Sequence, residues 1–473
     1  MSWVATIGLE THVQLHTESK MFCACCTGFG AAPNTHVCPV CLGYPGAMPV
    51  MNGKAIELTV RSGLMLSCEI PLYSKFDRKS YFYPDMPKNY QISQYDMPLC
   101  QGGGVDITVD GQHRRIELTR IHLEEDVGKS MHFKSSSGVD FNRAGVPLME
   151  IVSEPDLHTP EEAMAYLAAL KQILLYAEVS DCNLEEGNMR CDVNISIAPA
   201  GSDTLGTKAE IKNMNTFRGV QNAVRYEIAR QIDVLESGGR IVQETRRWDP
   251  DTEMTSSMRT KEDAHDYRYF PEPDLMPVVL AEAQIEAWRA TLPEPPAARR
   301  ERLVSEYGIP EYDAGVLAAD KRVGDFFEEA ARASGNAKAA SNWIMTEMLR
   351  LLGEQEMDIA DVRVAPAALA ELIGLVDGGA LNSNSAKEVF AELFAEGGDP
   401  KAIVAAKGLT QVSDSGAIEG FVQQAIEENP QSVEDFRNGK TKAAKFLVGQ
   451  VMRLSKGKAN PKMVGEIIAR LLS

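Results

Sequence analysis

The sequence lacks the features that mark membrane and secreted proteins. No apolar run approaches the length needed to span a bilayer, and the opening residues Met1-Ser2-Trp3-Val4 carry no signal-peptide character. Nine cysteines in a 473-residue chain without such a leader favour reduced thiols and a metal site over a disulfide framework. These absences predict a cytoplasmic protein with no membrane partner.

Short motifs for nucleotide binding and ammonia release are missing too. Gly439-Lys440-Thr441 has Glu434 where a Walker A loop requires glycine. No Gly-x-Gly-x-x-Gly opens a Rossmann unit, and no protein-kinase motif set is present. The glycine- and serine-rich pattern of amidases and the Cys-His-Glu arrangement of glutaminases are also absent. If this chain takes part in amidation, its ammonia is expected to come from another protein.

Basic residues are outnumbered, but they are concentrated near the end of the chain. The net charge of −19 excludes a protein that is basic throughout, whereas residues 437–462 contain eight lysines and arginines and no acid. Read as a helix over 440–455, the segment has an apolar face and a basic face, with a glycine that lets a phosphate backbone approach. A solvated charged face is the alternative. We expect RNA and not DNA, bound by Lys440, Lys442, Lys445, Gly449, Arg453 and Lys456.

Length and composition predict roughly three domains, each with an ordinary core. Strand-like segments and turn signals dominate up to residue 292, and the proline-rich residues 293–296 then form the clearest boundary. Helix-forming sequence follows, with a second, less marked domain boundary near residue 400. The prediction is an α+β domain over residues 1–292, a helical domain over 293–400 and a helical tail domain over 401–473.

Local patterns predict individual elements of the first domain. Alternation over residues 190–197 places Arg190, Asp192 and Asn194 on one face of a strand, and Glu10 and His12 share a face of the opening strand. Thr159 as N-cap and Pro160 at the first position predict a helix that runs to about Ala177. Glycine-containing stretches at residues 102–104 and 110–111 indicate hairpin turns.

Two close pairs of cysteines give the strongest local pattern. Cys23-Ala24-Cys25 and Cys38-Pro39-Val40-Cys41 are separated by twelve residues, which is typical of a four-thiolate zinc site. Buried free thiols are the alternative, and the neighbouring Cys26 is surplus. Four thiolates leave no open coordination position, so we expect Zn²⁺ here to be structural.

Acidic residues form a second group of candidate functional residues. Oxygen ligands and an occasional imidazole suit Mg²⁺ carrying a nucleotide phosphate. Cations in strand-like text accompany the acids and would neutralise a phosphoryl group, although surface acids and a cross-strand salt-bridge ladder are the alternatives. The acids and imidazole are Glu10, His12, Glu124, Glu125, Asp126, Glu150, Asp192 and Glu210, and the cations are Lys79, Lys88, Arg190, Lys208 and Lys212.

Residues 139–152 carry the most information. Glu150 lies in the apolar, strand-like run 148–152, where its burial is costly unless a metal, a cation or a substrate compensates it. The turn at residues 142–145 supplies Arg143, whose guanidinium suits a phosphate or a carboxylate. A hairpin with a single salt bridge is the alternative interpretation of the isolated glutamate.

Further motifs accompany this stretch along nearly the whole chain. They are residues 7–14 (IGLETHVQ), 38–46 (CPVCLGYPG), 79–91 (KSYFYPDMPKNYQ), 266–274 (DYRYFPEPD), 437–440 (RNGK) and 447–452 (LVGQVM). With residues 139–152, they resemble the GatB family, whose members belong to the aspartyl/glutamyl-tRNA amidotransferases.

The resemblance implies a fold and an activity. The fold would be a cradle whose antiparallel sheet resembles the catalytic domain of glutamine synthetase, followed by a helical domain and a YqeY-like helical tail. The activity would be ATP- and Mg²⁺-dependent conversion of Glu-tRNA(Gln) or Asp-tRNA(Asn) to the amidated form, by phosphorylation of the side-chain carboxylate. Ammonia would arrive through a tunnel from an amidase subunit, GatA, in a heterotrimer completed by a small subunit, GatC.

The resemblance also implies roles for particular residues. His12, Glu125 and Glu150 would be the first Mg²⁺ ligands, with Glu10, Glu124, Asp192 and Glu210 around a second cation or in an outer shell. The expected catalytic residues are Glu150, Glu125, Lys79, Lys88, Arg190 and Lys208, with Lys79 and Lys88 near the tunnel mouth, and the expected cofactor-binding residues are Arg143, Lys212 and Asn194. Two other functions stay open: a zinc-containing RNA-binding adaptor without chemistry, and a free-standing carboxylate–amine ligase.

Overall fold

A computed structural model describes residues 2–260, 267–409, 415–437, 440–455 and 458–472. The chain divides into two compact units, Met1–Pro295 and Pro296–Ser473, which meet inside the predicted proline-rich boundary. The first unit is mixed α/β with antiparallel-rich sheets, as the sequence predicted, and the second is helical in its described part. The division into three domains and the likeness to glutamine synthetase stay predictions.

Sixteen strands are described in the first unit. They are β1 (Trp3–Gln14), β2 (Tyr73–Ser74), β3 (Asp77–Ser80), β4 (Tyr90–Ser93), β5 (Cys100–Gln101), β6 (Gly104–Val109), β7 (Gln112–Glu125), β8 (Lys129–His132), β9 (Ser137–Asp140), β10 (Pro147–Ser153), β11 (Met189–Pro199), β12 (Ala209–Met214), β13 (Glu244–Asp249), β14 (Met254–Thr260), β15 (Phe270–Pro271) and β16 (Val278–Val279).

The main sheet has the order β14-β13-β12-β11-β1-β10-β7-β5, and β6 also pairs with β7. Its pairs are antiparallel except for β12 and β13, which run parallel. Smaller sheets are formed by β15-β3-β4, by β16-β2 and by β8-β9. The amino-terminal strand β1 is therefore central, between β10 and β11.

Helices α1 (Gly53–Met65), α2 (Pro160–Tyr176), α3 (Phe217–Glu236) and α4 (Glu282–Arg289) complete the first unit. Apolar residues of α1, α2 and α3 share one core with Ile7, Leu9 and Val13 of β1, which are almost fully buried. Glu10 and His12 alternate with them and point to the other side of the strand, as the sequence predicted. The helices therefore cover one face of the sheet, and Glu10 and His12 lie on the opposite face.

The described part of the second unit is built from helices around two apolar clusters, one within residues 303–404 and one within residues 418–472. The part of the chain that the structure describes contains no helix with both the length and the apolar character needed to cross a membrane. The helices are α5 (Pro296–Tyr307), α6 (Glu311–Leu317), α7 (Lys321–Ser334), α8 (Ala337–Trp343), a π-helical turn (Ile344–Met348), α9 (Leu349–Gln355), a 3₁₀ turn (Ile359–Asp361), α10 (Pro366–Asp377), α11 (Ser383–Glu396), α12 (Pro400–Lys407), α13 (Ser415–Glu428), α14 (Pro430–Arg437), α15 (Thr441–Leu454) and α16 (Pro461–Leu472).

Two of the local predictions are confirmed. Helix α2 begins after Thr159, whose hydroxyl and the Glu162 carboxylate form a capping box at the first turn. Asp110 and Gly111 join β6 to β7 with φ values of 51° and 76°, the two positive angles of a tight hairpin turn.

The hairpin predicted at residues 102–104 is wrong. Strands β5 and β6 pair with β7 in one continuous register, so Gly102 and Gly103 interrupt a single strand instead of reversing the chain. Both have positive φ, and a Cβ on Gly103 would lie 2.6 Å from the carbonyl oxygen of Leu66. Glycine is required there by a close backbone approach within a strand.

Candidate active site

The candidate site is built on the face of the main sheet away from the helices. His12 on β1 lies opposite Glu150 on β10, and Glu150 lies opposite His122 on β7. Arg190 on β11 lies opposite His12 on its other side. Since side chains at directly paired positions stand on the same face, four strands bring these residues into one row.

Three residues of this face are close enough to share a metal ion. One ligand atom each from His12, Glu124 and Glu150 lies within 4.8 Å of the others, and His12 Nε2 is 3.2 Å from Glu150 Oε2. Ser93 donates a hydrogen bond of 3.0 Å to Glu124 Oε2, which fixes that carboxylate. Two carboxylates and an imidazole are a donor set suited to Mg²⁺ or a similar divalent ion, so the residues fit the predicted cation.

The charges around Glu150 and Lys79 favour the ionised form of each side chain. Burial opposes the ionisation of Glu150, but His122, His12 and Lys79 outweigh it and hold the pKa of Glu150 below its ordinary value. Burial likewise opposes the charged form of Lys79, but Glu124 and Glu150 are among the groups that raise the pKa of its ammonium. The site is therefore a set of compensating charges of both signs.

The pocket above this face has a volume of about 290 Å³. Lys79 points into it beside Tyr267, with its Nζ atom 5.1 Å from the ring centroid, and among the described residues no carboxylate lies within 4.0 Å of that atom. The lining residues are Glu10, His12, Lys79, Gln94, Arg120, His122, Glu150, Val152, Asp192, Glu210, Lys212, Tyr267 and Tyr269.

Two of the remaining acids of the pocket, Asp192 and Glu210, are already paired with a lysine. Lys212 contacts Asp192, and its Nζ is 2.9 Å from Glu210 Oε1. Asn194 donates a hydrogen bond of 2.8 Å to Glu10, whose pKa is raised by burial and by the charges of Glu150 and Asp192. In the described structure Asp192 and Glu210 contact the Lys212 ammonium, and together with Glu10 they do not converge as a second metal-binding group.

Glu125 does not join the predicted metal ligands. Neighbouring residues of a strand point to opposite faces, and Glu124 is the one that reaches His12 and Glu150. The Glu125 carboxylate is instead buried against Lys88 and accepts a hydrogen bond of 2.9 Å from the backbone N–H of Ile92. The described geometry thus groups Glu124, and not the predicted Glu125, with His12 and Glu150 as candidate metal ligands, and it places Lys88 in an internal ion pair.

Three more predicted cations, besides Lys88, lie outside the pocket lining. Arg190 is 2.9 Å from the buried carboxylate of Asp126, and Arg143 donates hydrogen bonds to the carbonyls of Val127 and Gly128. These two guanidiniums therefore fix residues 126–128, which directly follow β7. Lys208 is exposed and precedes β12, so it does not lie on the strand that carries Glu210 and Lys212.

His122 is the main residue of the site that the sequence analysis missed. Its Nε2 is 3.6 Å from both Glu124 and Glu150, and its Nδ1 accepts a hydrogen bond of 3.3 Å from Arg120. A signal existed in the sequence, because His122 stands two residues before Glu124 in a strand-like segment. Arg120, Gln94 and the two tyrosines are further lining residues to which the sequence patterns assigned no role.

The four predicted zinc ligands come together. The sulfur atoms of Cys23, Cys25, Cys38 and Cys41 all lie within 4.8 Å of one another, and those of Cys38 and Cys41 are 3.9 Å apart. A tetrahedral ion with Zn–S bonds of about 2.3 Å would place its sulfur ligands about 3.8 Å apart, so this donor set fits zinc. The surplus Cys26 is exposed and lies outside the group.

We expect Cys41→Ser to reduce bound zinc from one ion per chain to nearly none, because a hydroxyl is a poor zinc ligand beside three thiolates. Metal analysis of the dialysed protein measures this. Cys26→Ser is the matched control and should keep the full zinc content. Equal zinc in both variants would contradict the assignment of the four ligands.

The basic tail is partly described. Lys440, Lys445, Gly449 and Arg453 are exposed on or next to α15. The opposite side of α15 packs into the apolar cluster through Leu447 and other residues. Lys456 lies outside the described residues, as does the side chain of Lys442. The described part thus has an apolar buried face and a basic exposed face, as the sequence predicted.

Comparison with known proteins places the whole chain in one group. Residues 5–286 match the family described as "GatB/GatE catalytic domain", and residues 325–472 match the family described as "GatB domain". Proteins from Thermoanaerobacter pseudethanolicus, Thermodesulfovibrio yellowstonii and Brevibacillus brevis are 55%, 54% and 53% identical to it. The alignments cover 100%, 100% and 99% of this chain and 100%, 100% and 98% of those proteins. All three are named as the B subunit of an aspartyl/glutamyl-tRNA(Asn/Gln) amidotransferase.

Proposed function

The chain belongs to the GatB/GatE family, and from this premise we propose that it amidates misacylated tRNA at the pocket of the main sheet. The substrates would be Glu-tRNA(Gln), Asp-tRNA(Asn) or both, together with ATP. An amidase subunit would supply ammonia from glutamine, and a small third subunit would complete the complex. The observation that carries the proposal is the cluster of His12, Glu124 and Glu150, two members of which, His12 and Glu150, line the same pocket as Lys79.

The proposed reaction follows from the chemistry of a carboxylate. Its oxygen is a poor leaving group, so the side-chain carboxylate of the aminoacyl group would first attack the γ-phosphorus of ATP and release ADP. Ammonia would then attack the acyl carbon of the resulting acyl phosphate. A C–N bond forms, the C–O bond to phosphate breaks, and a proton leaves the nitrogen as phosphate departs. The overall products are the amide, ADP and phosphate.

The residues of the pocket have separate tasks in this proposal. His12, Glu124 and Glu150 would hold Mg²⁺, which when bound supplies positive charge next to the phosphate oxygens. Lys79 would lie against the transferring phosphoryl group, since its ammonium has no carboxylate within 4.0 Å among the described residues. Lys212 would keep Asp192 and Glu210 from repelling the anionic substrate.

The experiment that tests the proposal measures Gln-tRNA formation from Glu-tRNA(Gln) and ammonium, with and without ATP and the amidase partner. ATP-dependent amidation with free ammonium would support a kinase and transamidase site in this chain. Tight tRNA binding without turnover, even with the partner present, would make the protein an RNA-binding adaptor. Ammonia release from glutamine by the purified chain alone would overturn the division of labour between subunits.

We expect His122→Asn to raise the Mg²⁺ concentration for half-maximal ATP hydrolysis roughly 10- to 100-fold, as is typical when a partner of metal ligands is removed. The reason is that His122 stands 3.6 Å from the carboxylates of both Glu124 and Glu150 and orients them. A magnesium titration measures the effect. His132→Asn, at an exposed histidine of β8, is the control and should leave the titration unchanged.

A further inference from the structure

Lys20 is a buried lysine that the proposed reaction does not use. Its residue is only 1% exposed, which makes it one of the largest fully buried side chains of the protein. Within the described residues no carboxylate lies within 4.0 Å of its Nζ, in contrast to Lys88, which is paired with Glu125. Since burying an ammonium is costly unless an opposite charge compensates it, the position needs a counter-charge.

The three contacts of the Lys20 ammonium point to where that charge lies. Its Nζ donates hydrogen bonds to the carbonyl oxygens of His36, at 2.7 Å, and Phe141, at 3.2 Å. The third contact, at 3.7 Å, is to the sulfur of Cys41, a member of the four-cysteine group. An ammonium has three donors, so two neutral carbonyls and one sulfur use all of them.

We propose that Lys20 is the counter-cation of a metal bound by the four cysteines. Four thiolates around a divalent zinc ion carry a net charge of about −2. Cys41 is the buried member of the group, so its sulfur is the one for which water compensates least. This inference rests on the proposed zinc site and does not depend on the proposed reaction.

The Lys20 side chain also joins the metal loop, residues 20–41, to the turn at residues 141–146 that leads to the active-site strand β10. The Phe141 carbonyl belongs to the turn that precedes β10, the strand that carries Glu150. The backbone N–H of Met21 donates to the carbonyl oxygen of Gly145 in that turn, at 2.7 Å. Gly145 lies so close that an added Cβ would be 3.4 Å from both Cys41 and the Lys20 stem. Lys20 therefore contacts both the cysteine cluster and the turn that precedes β10.

Additional hydrogen bonds tie the metal loop to the same turn. Asn34 donates through its side chain to the carbonyl of Val139, and its side-chain oxygen accepts from the backbone of Phe141, at 3.0 and 2.8 Å. The Asn142 side chain accepts from the backbone N–H of His36 at 2.8 Å. The turn is thus held by neutral contacts as well. What Lys20 adds to them is a positive charge next to the sulfur of Cys41.

The test compares Lys20→Met, Lys20→Gln and Lys20→Arg in the full-length chain. Zinc affinity is measured by competition with a chromophoric chelator, and the thiolate-to-metal band of the cobalt-substituted protein is recorded. We expect Lys20→Met and Lys20→Gln to weaken zinc roughly 10- to 100-fold and to shift the band, whereas Lys20→Arg keeps the charge and stays within about threefold of the wild type. Lys54→Met, at an exposed lysine paired with Glu57, is the matched control.

Each outcome supports or overturns the inference. Unchanged zinc affinity and an unchanged cobalt band in the methionine and glutamine variants would overturn it, as would an equal loss in the arginine variant. If Lys20→Met does not fold, Lys20→Gln carries the same test, since its amide still donates to the His36 carbonyl. A wild-type chain that binds no zinc would refute the zinc site itself, and it would do so independently of any measurement of amidation.

Discussion

Replacing Glu150 by glutamine is expected to reduce ATP-dependent amidation with free ammonium on the order of 10²- to 10³-fold. Glu150 stands in the middle of the cross-strand row, 3.2 Å from His12 and 3.6 Å from His122. Glutamine has nearly the same shape but no charge, so it removes a metal ligand and the partner of two imidazoles. Initial rates of Gln-tRNA formation at saturating ATP measure the loss.

The Glu150 variant needs a control for charge and for folding. Glu117→Gln on β7 makes the same chemical change at an exposed position outside the pocket and should keep full activity. Because Glu150 is held in a compensated set of charges, the thermal midpoint of both variants should also be compared. If Glu150→Gln had wild-type rates, the reaction could not take place in this pocket as proposed, whatever the effect of the substitution on stability.

Reversing two charges on the tail helix is expected to weaken tRNA binding roughly 10- to 100-fold at fixed salt. Lys445→Glu combined with Arg453→Glu changes two exposed residues of α15 and leaves its apolar face intact. If each residue binds a phosphate, the slope of log affinity against log salt should fall by about 1 for each phosphate that the variant no longer neutralises. Binding of labelled tRNA at several salt concentrations measures both quantities.

Deletion of the tail would disturb its packing as well as its charge. Removing residues 437–473 would take Leu447, Val451 and Val464 out of the cluster that also contains Ile418 and Val422. A loss of tRNA binding would then reflect unfolding of the helices that remain, and not the loss of basic residues. Lys338→Glu with Lys401→Glu gives the same change of charge at exposed residues of the same unit and is the control. An equal effect of both pairs would show only long-range electrostatics.

Much of this site could be predicted because its information is local. The alternation of residues in β1 and β11 assigns Glu10, His12, Arg190 and Asp192 to one face without any knowledge of the neighbouring strands. The cysteine spacing likewise predicts a four-sulfur group, because four ligands in two short pairs need only one chain reversal to meet.

The errors arose where strand pairing decides. Glu124 and Glu125 are neighbours in an acidic run, and only the register of β7 against β10 selects which of them faces His12. Lys208 fits the alternation of the following residues, but β12 begins after it. His122 was passed over because a histidine two residues before an acid carries no meaning until Glu150 is placed opposite it.

The central position of β1 has a consequence for biosynthesis. The strand partners of His12 on β10 and β11 are translated roughly 140 to 180 residues after it. At about 5–20 residues per second, β1 waits on the order of ten seconds or more with neither edge satisfied. An unpaired apolar strand exposed for that long is a target for holdase chaperones. His12 can therefore take its place in the pocket only after Glu150 and Arg190 have emerged.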